Sequence, residues 1–108
     1  MAHGRRFRFG VQAHIATTGA EWADLARRAE DLGYSTLFMP DHFGDQLAPV
    51  PALMAAAAAT TTLRVGTLVL DNDYRHPVVT AKEMASLDLL SDGRLELGIG
   101  AAKISAPP

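Results

Sequence analysis

The sequence holds no cysteine, and aromatic residues make up only 6% of it. Without thiols it can build neither a disulfide framework nor a thiolate metal site. Charge of one sign is lacking too: ten Lys and Arg face twelve Asp and Glu, and the basic residues cluster only at Arg5, Arg6 and Arg8. A nucleic-acid surface needs a broader basic footprint, so that class of partner is excluded. Long apolar runs are missing as well. The stretch from Pro51 to Leu63 is rich in Ala and Thr and falls short of the ~20 apolar residues that cross a bilayer, so it reads as a buried helix and no membrane partner is expected. The basic start runs into Phe7 to Gln12, where Arg8 and Gly10 break the apolar core of about 7–15 residues that a signal segment requires. A cytoplasmic location is the expectation that follows.

What is present is enough apolar material for one globular domain: 48% of 108 residues are hydrophobic, well above the level of disordered chains. Phe7, Phe9 and Val11 alternate with Arg8 and Gly10 and predict a first strand, ending near Gln12 to His14. Thr18, three residues before Glu21, has the spacing of a capping box. Trp22, Leu25, Ala26, Ala29 and Leu32 then follow helical spacing until Gly33 stops the helix. Ser35 to Met39 is a short apolar run suited to a strand buried on both faces, and Pro40 ends it.

Asp41-His42-Phe43-Gly44-Asp45 is therefore a loop at a strand's C-terminal end. Pro51 fits the first turn of a second helix, Ala52 to Thr61. Leu63 to Leu70 predicts a third strand, Asp71 to His76 a polar loop, and Pro77 the start of a third helix with a stripe of Val78, Ala81, Met84, Ala85 and Leu89. Ser91-Asp92-Gly93 is a turn signal, and Arg94 to Gly100 reads as a fourth strand. Regular alternation of strand and helix implies right-handed crossovers and parallel pairing, hence an α/β class. Alternation alone fits either part of an eightfold barrel, which takes ~250 residues, or a small open sheet.

Several phrases go further. Phe9-Gly10-Val11-Gln12, Ala29-Glu30-Asp31-Leu32-Gly33-Tyr34, Pro40-Asp41-His42-Phe43, Arg75-His76-Pro77 and Gly93-Arg94-Leu95-Glu96-Leu97-Gly98-Ile99-Gly100 resemble the bacterial luciferase-like superfamily, in its coenzyme F420-dependent oxidoreductase branch. The likeness runs from about Phe7 to Ala101. It implies the N-terminal portion of a luciferase-like (β/α)8 TIM barrel, about four parallel strands in order and three helices on one side. Residues 1–108 would then be one partial barrel domain with a divergent tail over 102–108, where Lys103 stands in place of an acidic or aromatic residue.

The resemblance also implies chemistry. Asp41 would contact the ring system of the cofactor, coenzyme F420 or alternatively FMN. His42 would be the acid–base group, since an imidazole can take a hydroxyl proton as hydride leaves the adjacent carbon. Without the resemblance, Asp41 reads as a cap on the turn after Pro40 and His42 as a loop residue. Leu68 and Val69 would be joined by a non-proline cis peptide behind the cofactor's central ring. Gly98 and Gly100 allow close backbone approach to a ligand or a neighbouring strand, though the pattern lacks the third glycine of a dinucleotide fingerprint.

His14 is expected to face substrate, His76 to have no catalytic part, and no metal site is expected because no ligands recur at metal spacing. The function implied is F420-dependent hydride transfer between the deazaflavin and a small-molecule organic substrate. An FMN-dependent monooxygenase is the close rival; a non-catalytic fragment and a small α/β binding module are rivals of other classes. Phosphate-binding loops of such barrels follow strands seven and eight, so this stretch alone is expected to be inactive. Its inward strand faces, with Phe9, Val11, Leu37, Met39, Val65 and Leu97 as candidates, would lack cover, which leads to the expectation of a homo-oligomer.

Overall fold

A computed structural model describes residues 6–101; the divergent tail over 102–108, with Lys103, lies outside them. Strands β1 (Gly10–Gln12), β2 (Thr36–Met39), β3 (Arg64–Thr67) and β5 (Leu95–Glu96) form one sheet in the order β1-β2-β3-β5. Every pairing in it is parallel. Helices α1 (Gly19–Asp31), α2 (Pro49–Ala59) and α3 (Pro77–Leu90) connect them. Four parallel strands in sequence order and three helices are the arrangement expected.

The helix ends follow local chemistry. At α1 the Thr18 hydroxyl accepts the Glu21 N–H at 3.1 Å, while the Glu21 carboxylate turns back to the Thr17 hydroxyl at 2.6 Å. The C-terminus closes on Gly33, at φ +90°, with Gly33 N–H donating to Glu30 O and Tyr34 N–H to Ala29 O. Helix α2 begins at Pro49, earlier than the predicted Ala52, because Pro49 itself fills the first helical position where a missing N–H costs nothing. At α3, the His76 ring Nδ1 accepts the Val78 N–H at 3.2 Å, so this histidine is a cap.

A single core joins all three helices to one face of the sheet. Trp22, Ala26 and Ala29 of α1, Leu53, Ala56 and Ala57 of α2, and Leu87 of α3 pack with Leu37, Met39 and Val65. The small alanines let α1 and α2 approach closely, and the Trp22 indole donates to Ala52 O at 2.7 Å. Glu30 staples the base of this layer: one carboxylate oxygen accepts the N–H groups of Thr61, Thr62 and Leu63 at 2.9, 2.7 and 2.8 Å. Those donors, the Thr62 N–H above all, hold the Glu30 carboxyl down to about 2 from its ordinary 4.5. Arg94 does the converse at the end of α2, donating to Ala57 O, Leu63 O and the Thr60 hydroxyl.

Three expectations need correction. Val11, Leu37, Met39 and Val65 do not line the open face; they point to the helices. The alternation of strand residues puts Gly10, Phe38, Arg64, Gly66 and Glu96 on the other face. There Glu96 accepts from Arg8 at 2.8 Å and Arg64 at 2.7 Å. An apolar strand pattern cannot say which of its two faces the helices cover.

On α3 the buried stripe is Thr80, Met84 and Leu87, whereas Val78 and Leu89 are exposed. The helix carries apolar residues on more than one side, so its period does not single out the core face.

The predicted third and fourth strands, finally, are each broken in two. β4 (Leu70–Asp71) and β6 (Ile99–Gly100) form a separate parallel pair beyond the breaks. At the breaks the Thr67 hydroxyl replaces the ladder, accepting the Gly98 N–H at 3.1 Å and donating to Gly98 O at 2.7 Å.

Candidate active-site cleft

The C-terminal ends of β2 and β4 face one another across an open cleft of about 370 Å³. Its walls are Pro40, Asp41, His42 and Phe43 from the loop after β2, and Leu68, Val69, Asp71 and Tyr74 from the segment after β3, with Ala101 closing one side. Parallel α/β sheets place ligand sites at this end of their strands, because there the loops converge on one mouth. The structure thus brings Asp41, His42, Leu68 and Val69 into one cleft. Gly100 stands behind it: a Cβ there would come 2.9 Å from a Val69 methyl, so the glycine lets β6 pack directly against Val69.

Asp41 is buried, and its carboxylate is fully engaged. One oxygen accepts the Asp71 N–H at 2.9 Å together with the Arg75 guanidinium, and the other accepts from the second arm of Arg75 at 3.3 Å. Arg75 also donates to Asp71 O. A two-armed guanidinium on a carboxylate is both strong and directional.

His42 is exposed. Its loop is folded around Gln46, which accepts the His42 N–H at 3.1 Å and donates to Pro40 O and Leu47 O at 2.8 Å each. With its backbone held this way His42 stands in the cleft wall, and among the described residues its ring makes no hydrogen bond.

The peptide bond between Leu68 and Val69 is cis, where the resemblance placed one. Leu68 N–H donates to Met39 O and Leu70 N–H to Gly98 O, so the segment is anchored to strands on both sides. Over the mouth the rings of Phe43 and Tyr74 meet edge to face, their centroids 4.7 Å apart. His14 lies outside the cleft lining and is exposed; its carbonyl accepts the Leu47 N–H.

Sequence reasoning missed Arg75, Gln46 and the Phe43–Tyr74 pair. In the sequence Arg75 reads with His76 as part of the polar loop before Pro77, and nothing in its neighbours reports a carboxylate 34 residues earlier. The proline after His76 was the stronger local signal, and it masked the charge.

Parallel strands in chain order, helices on one side and a cleft at the strands' C-terminal ends define part of a (β/α) barrel wall. The family profile described as luciferase-like monooxygenase matches residues 4–106, and the chain belongs to that family. It is 38% identical to an F420-dependent glucose-6-phosphate dehydrogenase of Nakamurella multipartita, over 86% of this chain and 30% of the relative. It is 35% identical to the 4-hydroxyprotoasukamycin monooxygenase of Streptomyces nodosus subsp. asukaensis, over 77% of this chain and 24% of the relative. Among solved structures, the coenzyme F420 dependent tetrahydromethanopterin reductase from Methanopyrus kandleri superimposes with a TM-score of 0.80 at 29% identity. That match covers 89% of this chain and 27% of the other. The chain therefore spans 24–30% of the length of these relatives.

Proposed function

We propose that the chain contributes the β1-to-β6 share of a site for F420-dependent hydride transfer to or from a small organic substrate. The observation that carries this reading is the placement of His42, with its backbone fixed by Gln46, on the wall opposite the cis Leu68–Val69 segment. The apolar Leu68 and Val69 offer a surface for a flat ring, and Gly100 leaves room for Val69 to be pressed forward from behind. Leu68, Val69 and Gly100 would thus back the cofactor, and Asp41 would hold the wall beside it. The deazaflavin supplies a carbon that accepts or gives hydride. His42 accepts the substrate's hydroxyl proton at an imidazole nitrogen in one direction and returns it in the other. Phe43 and Tyr74 screen the mouth from water.

The alternative cofactor is FMN, in a monooxygenase. The likeness to 4-hydroxyprotoasukamycin monooxygenase favours it, at an identity close to that of the dehydrogenase. Self-association belongs to the same reading, supported by exposed Val78, Val79, Leu89 and Leu90 on α3. A cytoplasmic setting is supported by the cysteine-free composition.

Titrating the chain with oxidised F420 and, separately, FMN, with the fluorescence of each as readout, tests the reading. Quenching of F420 at lower protein concentration than FMN, weakened by His42→Ala, is expected. Preference for FMN would transfer the reading to the monooxygenase, and binding of neither would contradict it.

A further inference from the structure

We propose that Arg75 is a positioning residue of the cleft, acting through Asp41 to set the separation of its two walls. The proposal rests on reading the cleft as the cofactor site. Asp41 leads directly into His42 and Phe43 on one wall, and Arg75 directly follows Tyr74 on the other. Among the described residues, every side-chain hydrogen bond joining the loop at 40–47 to the segment at 68–76 runs through Asp41. Apart from that ion pair and the Asp71 N–H on Asp41, the rim is joined by the Phe43–Tyr74 ring contact. Both of those rings are largely exposed, at 75% and 52%, so little burial holds them together.

The ion pair is the opposite case. The Asp41 side chain is 3% exposed and that of Arg75 is 18%, so it is shielded from water and salt. Each Asp41 oxygen already has a donor within the protein, two on one oxygen and one on the other. This assigns Asp41 the task of holding the wall. The guanidinium also cancels the carboxylate charge beneath the cleft, so a ring that gains negative charge on reduction meets a neutral wall. A lysine at 75 would supply the charge and lose the two-armed geometry.

The full 108-residue chain, isotopically labelled, tests this by nuclear magnetic resonance without any cofactor. The reporters are the nuclear Overhauser contacts between the Phe43 and Tyr74 rings and the imidazole resonances of His42; the Trp22 indole reports the core. In Arg75→Met, the ring contacts are expected to vanish and the His42 resonances to move while the Trp22 signal stays in place. Arg75→Lys, which keeps the charge and the fold, is expected to weaken the ring contacts and move His42 in the same direction by less.

A residue that merely stabilises the fold would lower the unfolding temperature and leave these reporters unmoved below it. Unchanged ring contacts and His42 resonances in folded Arg75→Met would overturn the proposal. If that variant does not fold, Arg75→Lys decides by the same two signals, and a spectrum matching the parent overturns it. Failure of the parent chain to bind F420 or FMN contradicts the proposed function and leaves these signals readable, so the two readings fail separately.

Discussion

The ring of Phe38 fills the space above Gly66, 3.0 Å from where a Cβ on that glycine would stand. The same ring lies 2.6 Å from the corresponding point on Gly10 of the other neighbouring strand. One bulky side chain in this layer of the open face thus requires glycine on both flanking strands. Gly66→Ala is expected to destabilise the chain by about 1–3 kcal/mol, the usual cost of overpacking, read by denaturant unfolding. The new methyl would also collide with the Glu96 carbonyl oxygen, so adding Phe38→Leu would not restore it. In Gly10→Ala the clash is with the ring alone within that range, and Phe38→Leu would recover most of the loss.

Glu30 links stability to pH. Its folded carboxyl titrates at about 2 and its ordinary value is 4.5, so the group stabilises the fold in full above about pH 4.5 and that share drains away as pH falls toward 2. Glu30→Gln is expected to lower the unfolding temperature at pH 7. It should also flatten the acid limb, so that the two proteins converge near pH 2. Thermal scans across that window check it, and parallel curves at all pH values would contradict the assignment.

Thr67 is buried and satisfies both polar groups of Gly98 with one hydroxyl. Thr67→Val keeps the shape and leaves the part-buried Gly98 N–H without its partner, while Gly98 O keeps the Leu70 N–H, at a cost of about 1 kcal/mol. Faster hydrogen exchange at Gly98 is the expected sign, with Thr67→Ser close to the parent. Protection at Gly98 unaltered by the valine would mean that another group has taken over.

Much of this was legible in the sequence, for identifiable reasons. Thr18 with Glu21, Gly33, and Pro77 act within a few residues of themselves, so local chemistry announced α1, its stop and the start of α3. Loop 41–45 followed from Pro40 ending a strand. Harder to read were relationships across 30 residues or more. The Asp41–Arg75 pair, the Glu30 staple on Thr61 to Leu63 and the Thr67–Gly98 exchange all join segments whose spacing carries no period. The division of the third strand at Leu68 escaped periodicity for a different reason: Leu63 to Leu70 is apolar enough to pass for one buried strand, and it took the family likeness to mark the cis bond inside it.

The assignment of the open face to the wrong residues has an energetic origin. The apolar pattern of Val, Leu and Met in these strands predicts that they face a barrel interior. In fact helices bury the aliphatic face, and the interior layer of this wall is built from glycine, Phe38 and the Arg8–Glu96–Arg64 ion pairs. Arg64→Met would remove one arm of that network on a face where Arg64 is only part-buried. The expected loss is small, within about 1 kcal/mol, by the same denaturant measurement.

The most direct test of the account maps a weakly held ligand onto the chain. Oxidised F420 is added stepwise to the isotopically labelled protein while backbone and methyl resonances are followed. The account predicts that the shifts concentrate on His42, Phe43, Leu68, Val69, Tyr74 and Gly100, with Trp22 and the α1–α2 core unmoved. Shifts centred instead on the hollow between β1 and α1, around Val11, Leu25 and Arg28, or no shifts at all as F420 is raised to its solubility limit, would contradict it.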